Sequence, residues 1–269
     1  MVKLCVLMSV YRGDRLEFTQ QAVQSILNQT YKDFDFHIIL DGPIGEDVEG
    51  YLDSLSSDSR IKLYKRVENK GLAYSLNELL SKTLGKYAYY ARMDADDIAL
   101  PERFSKQVEY MESNPDCDCV GAWAIEIDEN NEEYFRKEMP VTQEECYAFF
   151  EKRDCMIHPT VMFRNTYLAK AGLYPEDTYF GEDTMMWAKG FAAGCVFHNI
   201  PEYLFLFRIN RDFFSRRRGW KHAIGIFKLR RRVNKLLHYG SKADFYAVMY
   251  MVAKLMPKSI LNIIYKKAR

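Results

Sequence analysis

The apolar positions of this chain switch between two periods. Residues 2–10 form an almost unbroken apolar run that ends in Ser9-Val10-Tyr11, the pattern of a strand buried on both faces. Residues 14–29 place Leu16, Phe18, Ala22, Val23, Ile26 and Leu27 at helical spacing, with Asp14 positioned to cap the start. A second strand over 34–40 breaks at Asp41-Gly42-Pro43, which is turn chemistry. A polar helix over 46–57 and a short strand over 61–64 follow. Asn69-Lys70-Gly71 then opens a helix with Leu72, Leu76, Leu79 and Leu80 on one face. The apolar, aromatic run that follows, within 86–92, reads as the next buried strand and leads into Asp94-Ala95-Asp96-Asp97. Strand and helix alternating at this rhythm predict an α/β fold, a Rossmann-like, mostly parallel sheet flanked by helices.

Beyond residue 100 the alternation loosens. Pro101 sits where the first turn of a further helix is expected. A strand over 119–127 has an antiparallel partner over 134–137. Thr142-Gln143-Glu144-Glu145 is a capping box for a short helix. A strand is expected over 160–163, a helix opening at Gly181-Glu182-Asp183 with Met186, Trp187 and Phe191 inward, and two late strands over 195–200 and 204–209. From about residue 215 the pattern becomes two basic amphipathic helices, with Ile224, Phe227, Leu229, Val233, Leu236 and Leu237 in the first and 245–256 forming the second. The expected organisation is therefore a body, 1–214, with halves 1–100 and 101–214, and a basic helical extension, 215–269.

Charge sharpens that division. Residues 1–207 carry 21 Lys and Arg against 35 Asp and Glu, net −14; residues 208–269 carry 17 against 2, net +15. Such a tail suits an anionic membrane surface or the acidic body itself. Its apolar runs are too short to span a bilayer, which takes about 20 residues. Nucleic-acid binding is not expected, because no recognised motif accompanies the charges. The cysteines at 5, 117, 119, 146, 155 and 195 form no paired framework, and Cys117-Asp118-Cys119 is one residue short of a zinc-knuckle spacing. No secretory signal opens the chain, so a reduced, cytoplasmic setting is expected.

The candidate chemistry lies at strand ends, where ligands bind in open α/β sheets. Three carboxylates within four residues, Asp94, Asp96 and Asp97, can hold a hard divalent cation, or can be a solvated turn. An EF-hand starting at Asp94 fails, because Ile98 and Ala99 stand where an oxygen ligand and a glycine belong. A Gly-x-Gly-x-x-Gly turn, a P-loop and a Gly-x-Ser-x-Gly elbow are all missing.

Met8-Ser9-Val10-Tyr11, Ser25-Ile26-Leu27-Asn28-Gln29-Thr30-Tyr31, Asp41-Gly42, Asn69-Lys70-Gly71-Leu72, Arg92-Met93-Asp94-Ala95-Asp96-Asp97, Arg103-Phe104, His158-Pro159-Thr160 and Gly181-Glu182-Asp183 occur in this order. As an ordered set they resemble the bacterial glycosyltransferases of family 2, which have a nucleotide-diphospho-sugar transferase fold of GT-A type. The resemblance implies an inverting transfer from a nucleotide-diphosphate sugar, UDP-linked by preference, to a hydroxyl of a glycan or lipid-linked glycan. The setting implied is polysaccharide, lipopolysaccharide or capsule synthesis, peripherally on the inner face of the cytoplasmic membrane. It implies that Ser9, Val10 and Tyr11 line the base pocket, that Asp41 accepts from the base imide, and that Asn69, Lys70, Arg92, Asp94 and Ala95 border the donor. Asp96 is implied as the ligand of Mg²⁺ or Mn²⁺, with Asp94 or Asp97 assisting. Asp183 is implied as the base, with Glu182 its rival, and His158, Glu182 and Arg208 on the acceptor side. Arg208 and the run 215–218 are also expected to close over the diphosphate. The competing readings are a nucleotide-sugar-binding protein without turnover and a sugar nucleotidyltransferase; the latter needs a basic, glycine-rich loop that Tyr11-Arg12-Gly13-Asp14 supplies poorly.

Overall fold

The computed structural model describes residues 4–178, 180–210 and 219–256. The first half is the expected alternation: β1 (Leu4–Val10), α1 (Leu16–Leu27), β2 (Phe34–Leu40), α2 (Glu46–Ser54), β3 (Ile61–Lys65), α3 (Leu72–Thr83) and β4 (Tyr89–Asp94). β1 pairs in parallel with both β2 and β4, and β3 pairs with β2. The spatial order β3-β2-β1-β4 leaves a crevice between β1 and β4, where the chain reverses its direction of travel across the sheet. The register sets Ser9 beside Asp94 and Val10 beside Leu40. The ends of three strands are thereby level, and the residues that follow them converge.

The second half adds β5 (Ile98–Ala99), α4 (Arg103–Ser113), β6 (Cys119–Ile127), β7 (Glu133–Lys137), α5 (Gln143–Phe150), β8 (Met162–Arg164), α6 (Asn165–Ala171), α7 (Glu182–Ala192) and β9 (Phe197–Arg208). β8 runs antiparallel to both β4 and β6 and so joins the halves into one sheet. β6 and β9 are parallel, and β5 lies antiparallel on β9.

Several local expectations are corrected. Asp14 does not cap α1; its Oδ2 accepts the backbone N–H of Tyr11 at 2.8 Å and closes the Tyr11–Asp14 turn. Pro101 precedes α4 rather than entering it, and its carbonyl accepts from the Thr30 N–H at 2.8 Å. The two late strands are one, β9, with register shifts on either side of Trp123 where Pro201 and Glu202 bulge out. A proline has no N–H to give the ladder, so the strand absorbs it as an irregularity instead of ending. His158–Thr160 form a 3₁₀ turn, so the strand expected over 160–163 begins only at Met162, as β8. α6 was not foreseen. The capping box at Thr142 forms as expected, with Glu145 N–H donating to Thr142 Oγ1 and Glu145 Oε2 accepting from Thr142 N–H.

The sheet has a core on each face. Val6, Met8, Val23, Ile26, Phe36, Ile38, Met93 and Phe104 belong to one. Leu7, Ile39, Leu76, Leu79, Phe150, Phe163 and Trp187 belong to the other. The tail forms α8 (Trp220–Leu236) and α9 (Ser241–Leu255), and Leu229, Val233 and Leu237 complete that second core. Burying each of those side chains contributes about 1.5–3 kcal/mol, so α8 is anchored to the body by packing as well as by charge. Arg230 adds a 3.0 Å ion pair to Asp154 and Arg232 one of 2.8 Å to Asp177. The run 215–218 lies outside the described residues. All six cysteines are buried thiols.

Gln29 shows how the fold holds the segment after β4. It is fully buried; its amide donates to Leu100 O at 2.8 Å and Ser25 O at 3.0 Å, and its carbonyl accepts from the Phe104 N–H at 3.0 Å. Leaving those buried groups without partners costs about 1–3 kcal/mol each where water cannot replace the bond. Gln29→Ala is expected to lower the unfolding free energy by about 2–3 kcal/mol in urea titrations; an unchanged midpoint would show that the segment is held by something else.

Candidate active site

β4 ends in a tight turn, Asp94 to Asp97, and β5 follows immediately. Carboxylate oxygens of Asp94, Asp96 and Asp97 all lie within 4.8 Å of one another. The turn is clamped from β9. The backbone N–H of Arg208 donates to Asp97 Oδ1 at 2.7 Å, and Arg208 Nε donates to Asp96 O at 2.7 Å. The rest of that guanidinium reaches Asp128 O at 2.9 Å and Gln21 Oε1 at 2.7 Å and lies over the Phe18 ring. Asn210 Nδ2 donates to Asp96 Oδ2 at 2.9 Å.

The local charge is unusual for a protein interior. Burial, and then the neighbouring charge of Asp94, push the Asp96 carboxyl up to about 6. Burial followed by Asp96 and Asp94 holds Asp97 well above the ordinary carboxylate range. Opposing them, the buried guanidinium of Arg92 pairs with Asp94. Arg103, fully buried, donates to Arg92 O at 2.9 Å and sits between the Phe104 and Phe205 rings. Burial and then the like charge of Arg92 lower it to about 9, so it remains a cation at neutral pH. Asp97 Oδ2 is buried with no hydrogen-bond partner among the described residues. An orphaned buried oxygen beside two further carboxylates is a donor set that fits a hard divalent cation.

A second group organises the loop after β2. Asp41 is 2% exposed. Its carboxylate accepts from Arg66, Asn69 Nδ2 at 3.1 Å, Lys70 N–H at 2.8 Å and Gly71 N–H at 2.9 Å. Both oxygens are thus engaged by donors of this chain, and the role the structure gives Asp41 is to anchor residues 66–71. Gly42 permits the approach. Its φ is +82°, and a Cβ there would stand 2.6 Å from the Asn69 nitrogen. Lys70 keeps its ammonium over the Tyr74 ring at 4.6 Å, on the surface.

On the opposite flank, Gly181 starts α7 in the left-handed region at φ +74°. Asp183 Oδ1 accepts the Thr184 N–H at 2.7 Å, so the carboxylate sits at the positive end of a helix. Tyr174 lies between this flank and β4. Its hydroxyl meets His158 Nε2 at 2.9 Å, and its phenol feels the charges of both Arg92 and Asp183. Asn77 of α3 holds Tyr174 by both backbone groups, each at 2.9 Å, and donates to Glu176 at 2.8 Å.

Several expected site residues stand differently. Arg208 is 2% exposed, and its guanidinium donors are engaged within the chain, where they clamp the acid turn. His158 is buried against Tyr174 and Trp187, and burial keeps it neutral by lowering its pKa well below the ordinary value. Val10 points into the core and its carbonyl accepts from the Asp41 N–H. Ala95 is buried within the turn, and Arg92 reaches outward only through Asp94. Ser9, Tyr11, Asp94 and Asp96 remain partly open, as do Glu182 and Asp183. The sequence pattern did not single out Arg66, Asn77, Tyr174 and Asn210, which the fold brings to the borders of this candidate site. Asn77 had one available signal, a polar residue beside the apolar stripe of α3.

The profile described as "Glycosyl transferase family 2" matches residues 5–170. Among curated proteins, the "Amylovoran biosynthesis glycosyltransferase AmsE" of Erwinia amylovora is 30% identical over 98% of both chains. The "UDP-Gal:alpha-D-GlcNAc-diphosphoundecaprenol beta-1,3-galactosyltransferase" of Escherichia coli is 29% identical, covering 98% of this chain and 96% of its own. The crystal structure of S. aureus TarS 1-349 in complex with UDP-GlcNAc superposes with TM-score 0.67 at 12% identity, over 99% of this chain and 92% of that one. The mannosyltransferase PcManGT of Pyrobaculum calidifontis, in complex with GDP-Man and Mn²⁺, gives TM-score 0.65 at 13% identity, over 99% and 79%. The fold is accordingly of the GT-A type.

The raised Asp96 pKa has a signed consequence. Between about 4 and 6 the native state keeps a proton that the unfolded chain has released, so metal-free protein loses stability as pH rises through that window. Asp96→Asn removes the effect. Its melting temperature relative to wild type is expected to be near zero at pH 4 and positive above pH 6.5 in EDTA. Added Mn²⁺ at pH 7.5 should stabilise wild type and leave the variant unmoved. A difference flat in pH would contradict the assignment.

Proposed function

Since the chain belongs to glycosyl transferase family 2, we propose that it transfers a sugar from a nucleoside-diphosphate donor, UDP-linked by preference, to an acceptor hydroxyl with inversion at the anomeric carbon. The acceptor proposed is a glycan or lipid-linked glycan in cell-surface polysaccharide synthesis, met at the inner face of the cytoplasmic membrane. The observation that carries this reading is the convergence of Asp94, Asp96 and Asp97 at the crevice between β1 and β4, with Ser9 in register beside Asp94.

Asp96, with Asp97 or Asp94, would hold Mg²⁺ or Mn²⁺; when bound, the cation would neutralise the diphosphate that leaves with the nucleoside. The residues of this chain do the rest. Ser9 and Tyr11 border the base together with the loop anchored by Asp41 and Asn69. Lys70 offers an ammonium to the donor from the surface. Arg92 fixes the orientation of Asp94, and Arg208 fixes the turn itself. Asp183 takes the proton from the acceptor hydroxyl as its oxygen attacks the anomeric carbon and the bond to the diphosphate breaks. It stands in the first turn of α7, at the helix end that favours negative charge. Glu182 is the alternative base on the same turn.

Asp183→Asn preserves shape and removes the base. Transfer is expected to fall by about 10²–10⁴-fold with donor affinity unchanged, read by nucleoside-diphosphate release and donor titration. Full transfer by Asp183→Asn, with the loss appearing in Glu182→Gln instead, would move the base to Glu182. Loss in neither variant would remove the mechanism. A β-linked product from an α-linked donor, read by NMR, tests inversion separately.

A further inference from the structure

α9 presents an apolar face with no covering element among the described residues. Phe245 is 61% exposed, Met249 49%, Val248 41% and Val252 38%, at the spacing i, i+3, i+4, i+7 that makes one continuous stripe. The opposite side of the helix is buried through Ala243 and Ala247. α8 exposes a ridge of Ile224, Lys228, Arg231 and Lys235. The pairing of Arg231 with Asp244 sets this residue of the ridge beside the first turn of α9. Trp220, at the start of α8, is 70% exposed. Residues 219–256 contain eight Lys and Arg and a single acid, Asp244.

We propose that this α8–α9 surface docks on an anionic membrane, with Phe245, Val248, Met249 and Val252 seated at the boundary between headgroups and acyl chains. Exposed lysines and arginines face the lipid phosphates around them. Four apolar side chains framed by basic ones match the composition of a helix lying in the interface plane, and no helix of the described residues is long and apolar enough to cross a membrane. A soluble acidic partner would satisfy the charges but leave the stripe exposed. A second copy would bury the stripe but set basic ridges against each other.

The surface is tied to the site. Phe180 packs on His222 with ring centroids 4.4 Å apart, and Leu229 fills the space beside Gly181, where a Cβ would come within 2.3 Å of it. α8 therefore rests on the two residues that precede Glu182 and Asp183. Docking would fix the height of the proposed base above the membrane, which suits an acceptor hydroxyl carried on a lipid. The inference deepens the reading given under Proposed function and rests on its membrane-bound acceptor.

Flotation of the full chain with vesicles tests it, using phosphatidylcholine alone and a mixture with phosphatidylglycerol. Wild type is expected to float with the anionic vesicles and not with the neutral ones. Val248→Glu/Met249→Glu is expected to reduce flotation by about tenfold or more, and Lys228→Glu/Lys235→Glu by a similar factor that is lost in high salt for wild type. Both variants are on exposed positions, and an unchanged thermal response to UDP with Mn²⁺ would confirm that each still folds. Equal flotation of the variants, or no flotation of wild type, overturns the proposal. A wild-type dimer in sedimentation that Val248→Glu/Met249→Glu dissolves overturns it in favour of a contact between copies. Flotation as expected without any response to nucleotide would instead remove the donor reading and leave the docking surface standing.

Discussion

Three carboxylates packed around one turn repel each other, and the molecule is built to tolerate that. At 4.8 Å and an effective dielectric of about 20, two like charges repel by about 3.5 kcal/mol, and this turn holds three such pairs. A cluster of that kind persists only with protons, a cation or fixed positive groups. The chain supplies the last in part. Arg92 pairs with Asp94, Arg103 lies beneath Arg92, and the Arg208 backbone N–H holds Asp97. What these leave unbalanced is the buried and unpartnered Asp97 Oδ2 and the elevated Asp96, which a divalent ion would offset.

The same residues tie the two halves of the body together. Arg208 comes from the last strand of the sheet, yet it grips α1 through Gln21 and the acid turn through Asp96. Gln29 joins the end of α1 to the segment leading into α4. On the other face, Asn77 of α3 holds Tyr174, which lies between Arg92 and the start of α7. The acid turn and the Asp183 flank, proposed for phosphate handling and proton transfer, thus sit on separate sides of one sheet, linked by buried hydrogen bonds whose disruption would be costly. The tail extends this arrangement: α8 completes the second core and abuts the turn that carries Asp183.

The sequence made the first half legible because strand and helix alternate there with clean periods. β2 and β6 fall on their expected residues, and the cluster Asp94-Ala95-Asp96-Asp97 falls at a strand end as read. The second half was harder where backbone irregularity overrode period. Pro201 interrupts the apolar pattern of β9 but only bulges the strand, and α6 is too short to show a period. Within the candidate site, the ordered motifs fall around the strand ends near the acid turn, but residue type could not say which way each side chain faces. Arg208 and His158, expected on the acceptor side, are buried and hydrogen-bonded within the fold. Asp41 looked like a base-recognising carboxylate, and four donors from its own chain surround it. Arg66 and Asn77, which do much of the positioning, carry no local signature because their partners lie far away in the chain.

In the proposed mechanism the acid turn binds a nucleoside diphosphate through a divalent cation. Calorimetric titration of UDP into the protein, with Mn²⁺ and then with EDTA, tests it most directly. The expected result is saturable, one-to-one binding that EDTA weakens by about 100-fold or more, equivalent to roughly 3 kcal/mol. Equally tight binding in EDTA, or no binding of any nucleoside diphosphate with the metal present, would contradict it.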